Sequence, residues 1–264
     1  MKNLFAFAAF VLLFAGFSSC TKTDPVTTPL AEQGLSQEIK AKISALGFTA
    51  DEAYAVEGGY IAEGDIFLSA EDLNSVSPIQ KLIVGQEEQY RTTRLVTGLP
   101  RNIKVRYSGT NTAVSNAVTA AIARYNAEGL LLSFTRVSSG GNIVITGVTG
   151  QNYIASAGFP TASGNPYSSI SFNLDYAYLS ANTLTSVIAH EMGHCIGFRH
   201  TDYMQRQYSC GGSPVNEGSA GVGAILIPGT PSGPDPNSWM LACIGNGVNR
   251  PFNANDRTAL NYLY

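Results

Sequence analysis

The chain has 264 residues, 44% of them apolar and only 13% charged, and its 16 Lys and Arg against 19 Asp and Glu leave a formal net charge of −3. The negative balance excludes the basic footprint that a nucleic-acid partner would need. Only three histidines occur, His190, His194 and His200, and all fall within one window of eleven residues.

Lys2 is followed by the apolar run Leu4 to Phe17 and then Ser18, Ser19 and Cys20, which is the layout of a signal peptide over residues 1–19. The run is shorter than the roughly 20 residues of a membrane span. Its small-small-Cys ending resembles a bacterial lipobox. That resemblance implies a lipidated Cys20 as the mature N-terminus and an exported protein, held in a bacterial envelope or at the cell surface by its lipid alone. Plain secretion, with Cys20 an ordinary thiol, is the alternative.

Residues 20–98 read as a tether and a small mixed module. TKTDPVTTPL is polar and needs no fold. Ser36 caps a short helix with Ile39, Ile43 and Leu46 on one face and Gly47 as its stop. YAVEGGYIAEGDIFLS predicts two short strands around Gly58 and Gly59, and Ser69 with Asp72 forms a capping box for a second helix. A module of this size holds no large core alone.

From residue 99 to 264 the pattern is that of one α/β domain. Ile103 to Tyr107 alternates as a strand. Asn111 to Glu128 is an amphipathic helix with Val114, Val118, Ala121, Ile122 and Tyr125 on one stripe and Gly129 beyond its end. LLLSFTRV and NIVITGV follow as strands, and YIASAGF and SSISFNL as weaker ones. Asn182 starts the helix that runs into the histidines. Residues 201–239 are loop-rich, with seven glycines between Gly211 and Gly233, and Asn253 opens a last helix. Beyond Cys20 the cysteines are Cys195, Cys210 and Cys243, so an exported chain can oxidise one pair and leave one thiol. Cys210 with Cys243 is the favoured pair because the two bracket a Gly/Pro-rich loop, where closing a chain segment has most to gain. Cys195 with either is the alternative.

On a helix, positions i and i+4 share a face, so His190 and His194 can aim imidazole nitrogens at one metal ion. Glu191 lies one residue round the helix, close enough to meet a water on that metal and poorly set to be a ligand. Gly197 can take the left-handed conformation that ends the helix, and the returning chain brings His200 as third ligand. Three protein ligands and an open fourth position are the make-up of a catalytic zinc site, in which a glutamate takes the proton of the attacking water.

His190, Glu191, His194, Gly197 and His200 together spell HExxHxxGxxH, which resembles the metzincin zinc endopeptidases. Met240 in Ser238-Trp239-Met240 looks like their Met-turn, and PFNANDRTALNYLY looks like their last helix, with Asp256 where matrixins also carry an acid. HCIGFRHTD, SCGG and SWMLAC together resemble the dual-action HEIGH metallopeptidases of bacterial lipoproteins. The resemblance implies an α/β (α+β) fold: a twisted, mostly parallel sheet, an active-site helix, the Met-turn and a C-terminal helix, preceded by a small pro-module. It also implies Zn2+, a protein or peptide substrate, Glu191 as general base, and a substrate-binding strand at YIASAGFP, with Ile154, Ala155, Ser156 and Ala157 at its centre. Asp202 is expected as a structural partner near the site. Astacins and serralysins carry a tyrosine two residues after the Met-turn methionine, where this chain has Ala242, so Tyr203 is the remaining candidate.

AEGDI, Ala62 to Ile66, resembles the astacin pro-segment motif, which implies that Asp65 is a latency ligand. The charge distribution agrees: residues 20–98 carry twelve acids and six bases, and residues 99–264 nine bases and seven acids. No cysteine lies between Cys20 and Cys195, which excludes a cysteine switch. The expected protein is an exported zinc endopeptidase made as a zymogen. Its rival is a surface binding lipoprotein that keeps a metal-stabilised fold without turnover.

Overall fold

The computed structural model describes residues 34–74, 89–218, 223–231 and 233–264. The expected signal peptide and Cys20 lie outside them. Among the described residues no helix is long and apolar enough to cross a membrane.

The first element among the described residues is helix α1 (Gln37–Ala45), whose Ser36 cap accepts from the Ile39 N–H as expected. Strands β1 (Tyr54–Val56), β2 (Gly59–Ala62) and β3 (Ile66–Ser69) follow. Three strands thus stand where two were expected. The second turn is made by Glu63 at φ 54° and Gly64 at φ 93°, a left-handed pair that periodicity does not reveal. Helix α2 (Ala70–Asn74) starts on the reciprocal Ser69–Asp72 hydrogen bonds of the expected capping box. Next come β4 (Tyr90–Arg91), β5 (Arg101–Tyr107), helix α3 (Thr112–Asn126), β6 (Leu132–Arg136), β7 (Ile143–Val148), β8 (Ala155–Ala157) and β9 (Ser169–Asn173). Helix α4 (Ala181–Ile196) carries the histidine motif, and α5 (Gln207–Cys210), β10 (Ile225–Leu226) and α6 (Ala254–Leu263) complete the chain. The pair β4–β10 and helix α5 were not foreseen, since elements of two to four residues carry no period.

Eight strands form one sheet in the order β1-β2-β3-β8-β9-β7-β5-β6. Four of its seven pairings are parallel: β3–β8, β9–β7, β7–β5 and β5–β6. Strands β5 and β6 are joined through α3, as parallel neighbours require. Ile103, Val105, Ile143, Ile145, Ile170 and Phe172 form one core with Val114, Val118 and Tyr125 of α3 and with Leu184, Ile188 and Ile196 of α4. Fully burying each such side chain contributes roughly 1.5–3 kcal/mol, so α4 is held rigidly against the sheet.

The N-terminal module has a second, smaller core of Ile43, Leu46, Phe48, Ile66, Leu68 and Leu73, and it borrows Phe159, whose ring stacks on Phe48 at 6.0 Å. Too small to close a core of its own, the module joins the main sheet through β3 and buries its apolar face against the segment after β8.

Candidate metal centre

Helix α4 is buried from Thr183 to Ile196, and His190 and His194 lie on it. Ser180 Oγ caps its first turn by accepting from Thr183 N–H at 3.2 Å. It ends at Gly197 (φ 111°), whose N–H meets Gly193 O and His194 O while Phe198 N–H bonds Gly193 O. A Cβ at Gly197 would meet Arg94 O at 2.6 Å, so the left-handed φ and the lack of space both demand glycine. The chain then runs back antiparallel to β4. Arg199 N–H donates to Tyr90 O and Thr201 N–H to Met240 O, which anchors the backbone on both sides of His200.

The three histidines converge as the spacing requires. His194 Nε2 and His200 Nε2 are 3.2 Å apart, and Asp65 Oδ2 lies 3.3 Å from His190 Nε2, 3.2 Å from His200 Nε2 and 4.0 Å from His194 Nε2. Ligands about 2.0–2.1 Å from a tetrahedral ion stand about 3.3–3.4 Å apart, so this donor set has the dimensions of one cation site. The far ring nitrogens are all engaged: His190 Nδ1 with Trp239 O at 2.9 Å, His194 Nδ1 with Phe198 O at 2.8 Å, and His200 Nδ1 with Glu217 Oε1 at 3.0 Å. Carbonyls accept only, so the Nδ1 atoms of His190 and His194 carry the protons and their Nε2 lone pairs face the centre. Glu191 Oε2 is buried without a hydrogen-bond partner among the described residues, and His190 Nε2 has only the Asp65 carboxylate near it at 3.3 Å, the mark of a site built for something more. Three imidazoles and a carboxylate fit a borderline-soft divalent cation such as zinc.

The local field agrees with that fit. Burial raises the Glu191 carboxyl well above its usual range, and the Asp65 charge adds to this. Burial lowers the His194 imidazole, reinforced by His190 and His200. Burial opposes the charge on Asp65 as well, yet His200 foremost, with His190 and His194, holds that carboxyl well below the usual range.

Met240 is fully buried beneath the helix. A Cβ at Gly193 would meet Met240 Sδ at 2.6 Å, so the glycine between the two helix histidines is what lets the methionine approach. Asp256, inside the capping box of α6, accepts from Trp239 N–H at 3.3 Å and from Gln89 Nε2 at 2.6 Å, tying the last helix to this turn. Asp202 is indeed a structural partner: it accepts from Ala242 N–H at 3.0 Å and from Ser209 Oγ at 2.6 Å. Cys210 and Cys243 are bonded to each other, and Cys195 is a buried free thiol. Tyr203 packs edge-on to Tyr90 at 4.4 Å and does not line the cleft.

The expected strand YIASAGFP is shorter than its motif: β8 spans Ala155–Ala157, with Ile154 preceding it. One side pairs antiparallel with β9, and the side expected to be a free edge lies beside β3 through Ile66–Ala157, with Ala157 N–H donating to Asp65 O at 3.1 Å.

Glu217 is the neighbour that the sequence reading missed, lying in the glycine-rich loop with no spacing signal. It is fully buried, meets His200 Nδ1 with both oxygens and stands 4.0 Å from Arg199 and 3.6 Å from Arg206. Glu217→Gln is expected to weaken metal binding by about 10–100-fold, measured by chelator competition on the full chain. Unchanged affinity would show that Glu217 does not orient His200.

Two solved structures of myroilysin resemble the fold at 17% sequence identity each. One has a TM-score of 0.46 and covers 65% of this chain and 96% of its own; the other has 0.42, with 62% and 83%. No curated protein matches the chain. The family model of the dual-action HEIGH metallo-peptidases matches residues 60–264, a span that runs from β2 through Asp65, the histidine helix and the Met240 turn to the last residue of the chain. A match over so much of the chain makes it a member of the dual-action HEIGH metallopeptidase family.

Proposed function

We propose that the protein is a zinc-dependent endopeptidase, made latent and activated by removal of its N-terminal segment, and exported with Cys20 as its lipid anchor. One observation carries the catalytic reading: three Nε2 lone pairs meet at one point beside the buried, unpartnered Oε2 of Glu191. A bound zinc ion supplies Lewis-acid polarisation and lowers the pKa of a coordinated water to about 7. His190, His194 and His200 would hold the ion, their Nδ1 partners keep each ring aimed, and Met240 supports the helix from below. Glu191 takes the water proton on its carboxylate as the scissile carbonyl is attacked and delivers it to the leaving amine. Ile154, Ala155, Ser156 and Ala157 align an extended peptide through backbone hydrogen bonds.

The latency reading is supported by three carboxylates of the N-terminal segment. Asp65 faces the imidazoles, Glu63 Oε2 meets Arg199 Nη2 at 3.1 Å, and Glu52 Oε2 meets Arg206 Nη1 at 3.0 Å. The opposite charges of the two parts thus meet at the site, while β3 lies along the strand that a substrate would use. As expected outcomes, the full chain carries about one zinc, leaves an unfolded protein intact, and cleaves it after limited proteolysis of the N-terminal segment. Zinc binding without cleavage in either state would favour a metal-stabilised binding protein.

A further inference from the structure

Beside His190 and Glu191 the cleft opens into a cavity of about 220 Å³, lined among others by Val187 of α4, by Ala155 of β8 and Ile154 before it, and by the chain that follows Met240. Leu241 and Ile244 make that last wall apolar, and Arg250 is the cation within it. Its backbone is tied down on both sides: Arg250 N–H donates to Ser186 Oγ at 2.9 Å, and Arg250 O accepts from Arg124 at 2.7 Å. The guanidinium is aimed by one bond, Nη1 to Cys243 O at 2.7 Å, and Cys243 is itself held by the disulfide.

The head group is only partly used. Arg250 Nε is inaccessible to solvent and has no acceptor among the described residues. The carboxylates whose charge it feels, Asp202 and Asp256, are committed elsewhere: Asp202 to Ala242 N–H and Ser209, Asp256 to Gln89, Trp239 N–H and Asn253 N–H. Arg206, the other arginine of the cavity, also has an Nε without a hydrogen bond, but carboxylates stand beside its head group: Glu52 at 3.0 Å from Nη1 and Glu217 at 3.6 Å from Nε. A guanidinium with one buried, unmet donor, set in a wall that Leu241 and Ile244 make apolar and beside the reacting groups, is complementary to a short side chain that ends in a carboxylate.

We propose that this cavity receives an aspartate or glutamate side chain adjoining the scissile bond, and that Arg250 is the residue that selects it. The assignment rests on the peptidase reading above. A neutral side chain would leave the buried Arg250 Nε without a charged acceptor, whereas a carboxylate meets the guanidinium at the moment the peptide seats.

The test uses the full chain matured by limited proteolysis, first on a random peptide library with cleavage positions read by mass spectrometry. Asp and Glu should be enriched at one position flanking the cut. A matched peptide pair, carrying Glu or Gln there, then gives kcat/KM for the parent, Arg250→Gln and Arg250→Lys. Arg250→Gln should reduce the Glu-over-Gln preference by about 10–100-fold, the worth of a hydrogen bond to a charged group, and Arg250→Lys should restore part of it. No acidic enrichment by the parent overturns the proposal. So does an equal loss on both peptides in Arg250→Gln, which would make the arginine a brace for the Cys243 carbonyl. A folded, zinc-loaded parent that cuts nothing removes the peptidase reading, and this one with it.

Discussion

Replacing Glu191 by Gln is expected to lower kcat/KM on a peptide by about 10²–10⁴-fold while the bound metal stays in place, the effect of removing a positioned general base. The substitution conserves shape on a buried helix, so the three histidines keep their places. Under the proposed mechanism, what changes is the proton acceptor. Glu191 Oε2 has no hydrogen-bond partner among the described residues, which leaves its lone pairs free for a proton from water. An amide presents a weak acceptor there and no negative charge. Metal content and thermal unfolding, measured beside the rate, separate the outcomes: loss of metal with loss of rate would make Glu191 a structural support, and an unchanged rate would refute its role as base.

Asp65→Ala should raise the activity of the full, uncleaved chain by about 10–100-fold, the scale of a charge-assisted contact removed from the site. Asp65 Oδ2 lies within 4.0 Å of all three Nε2 atoms, nearest to His200 at 3.2 Å, and so stands where a fourth ligand would. The gain should fall short of that produced by proteolysis, because Glu63 stays buried against Arg199 and β3 stays beside β8. The same variant should bind the metal more weakly before maturation, when the carboxylate would be a donor, with no counterpart change in the matured enzyme. If neither latency nor metal coordination of the full chain responds to Asp65→Ala, the aspartate is a turn residue without a regulatory part.

Much of this site is local chemistry and was legible in the chain. The i, i+4 spacing of His190 and His194 puts both rings on one helix face, and Gly197 marks the turn that returns His200 to them. Ser36, and Ser69 with Asp72, cap the helices they were expected to cap, and Asn253 opens the last helix as its cap. These signals are short in range, each depending on bonds between residues three to six apart, so adjacent letters suffice to state them. The second turn of the N-terminal module is a counterexample within the same range. It rests on Glu63 in a left-handed conformation, which a non-glycine residue adopts rarely and only with support. That support is tertiary, from Arg199 and from the Thr49 N–H.

The chain by itself determined the identity and order of the metal-facing residues, the helices that carry them, and the expectation of a Cys210–Cys243 bridge, because spacing, caps and composition are properties of neighbouring residues. Only the tertiary structure decided which distant groups complete the centre. Glu217 reaches His200 from a loop with no periodic pattern, Arg250 enters the cleft from sixty residues beyond His190, and β3 lies along a strand expected to be an open edge. Those partners meet because burying the sheet and α4 brings remote segments together. Once there, each buried charge must find a counter-charge or an acceptor, a requirement set by the low-dielectric interior and not by position along the chain.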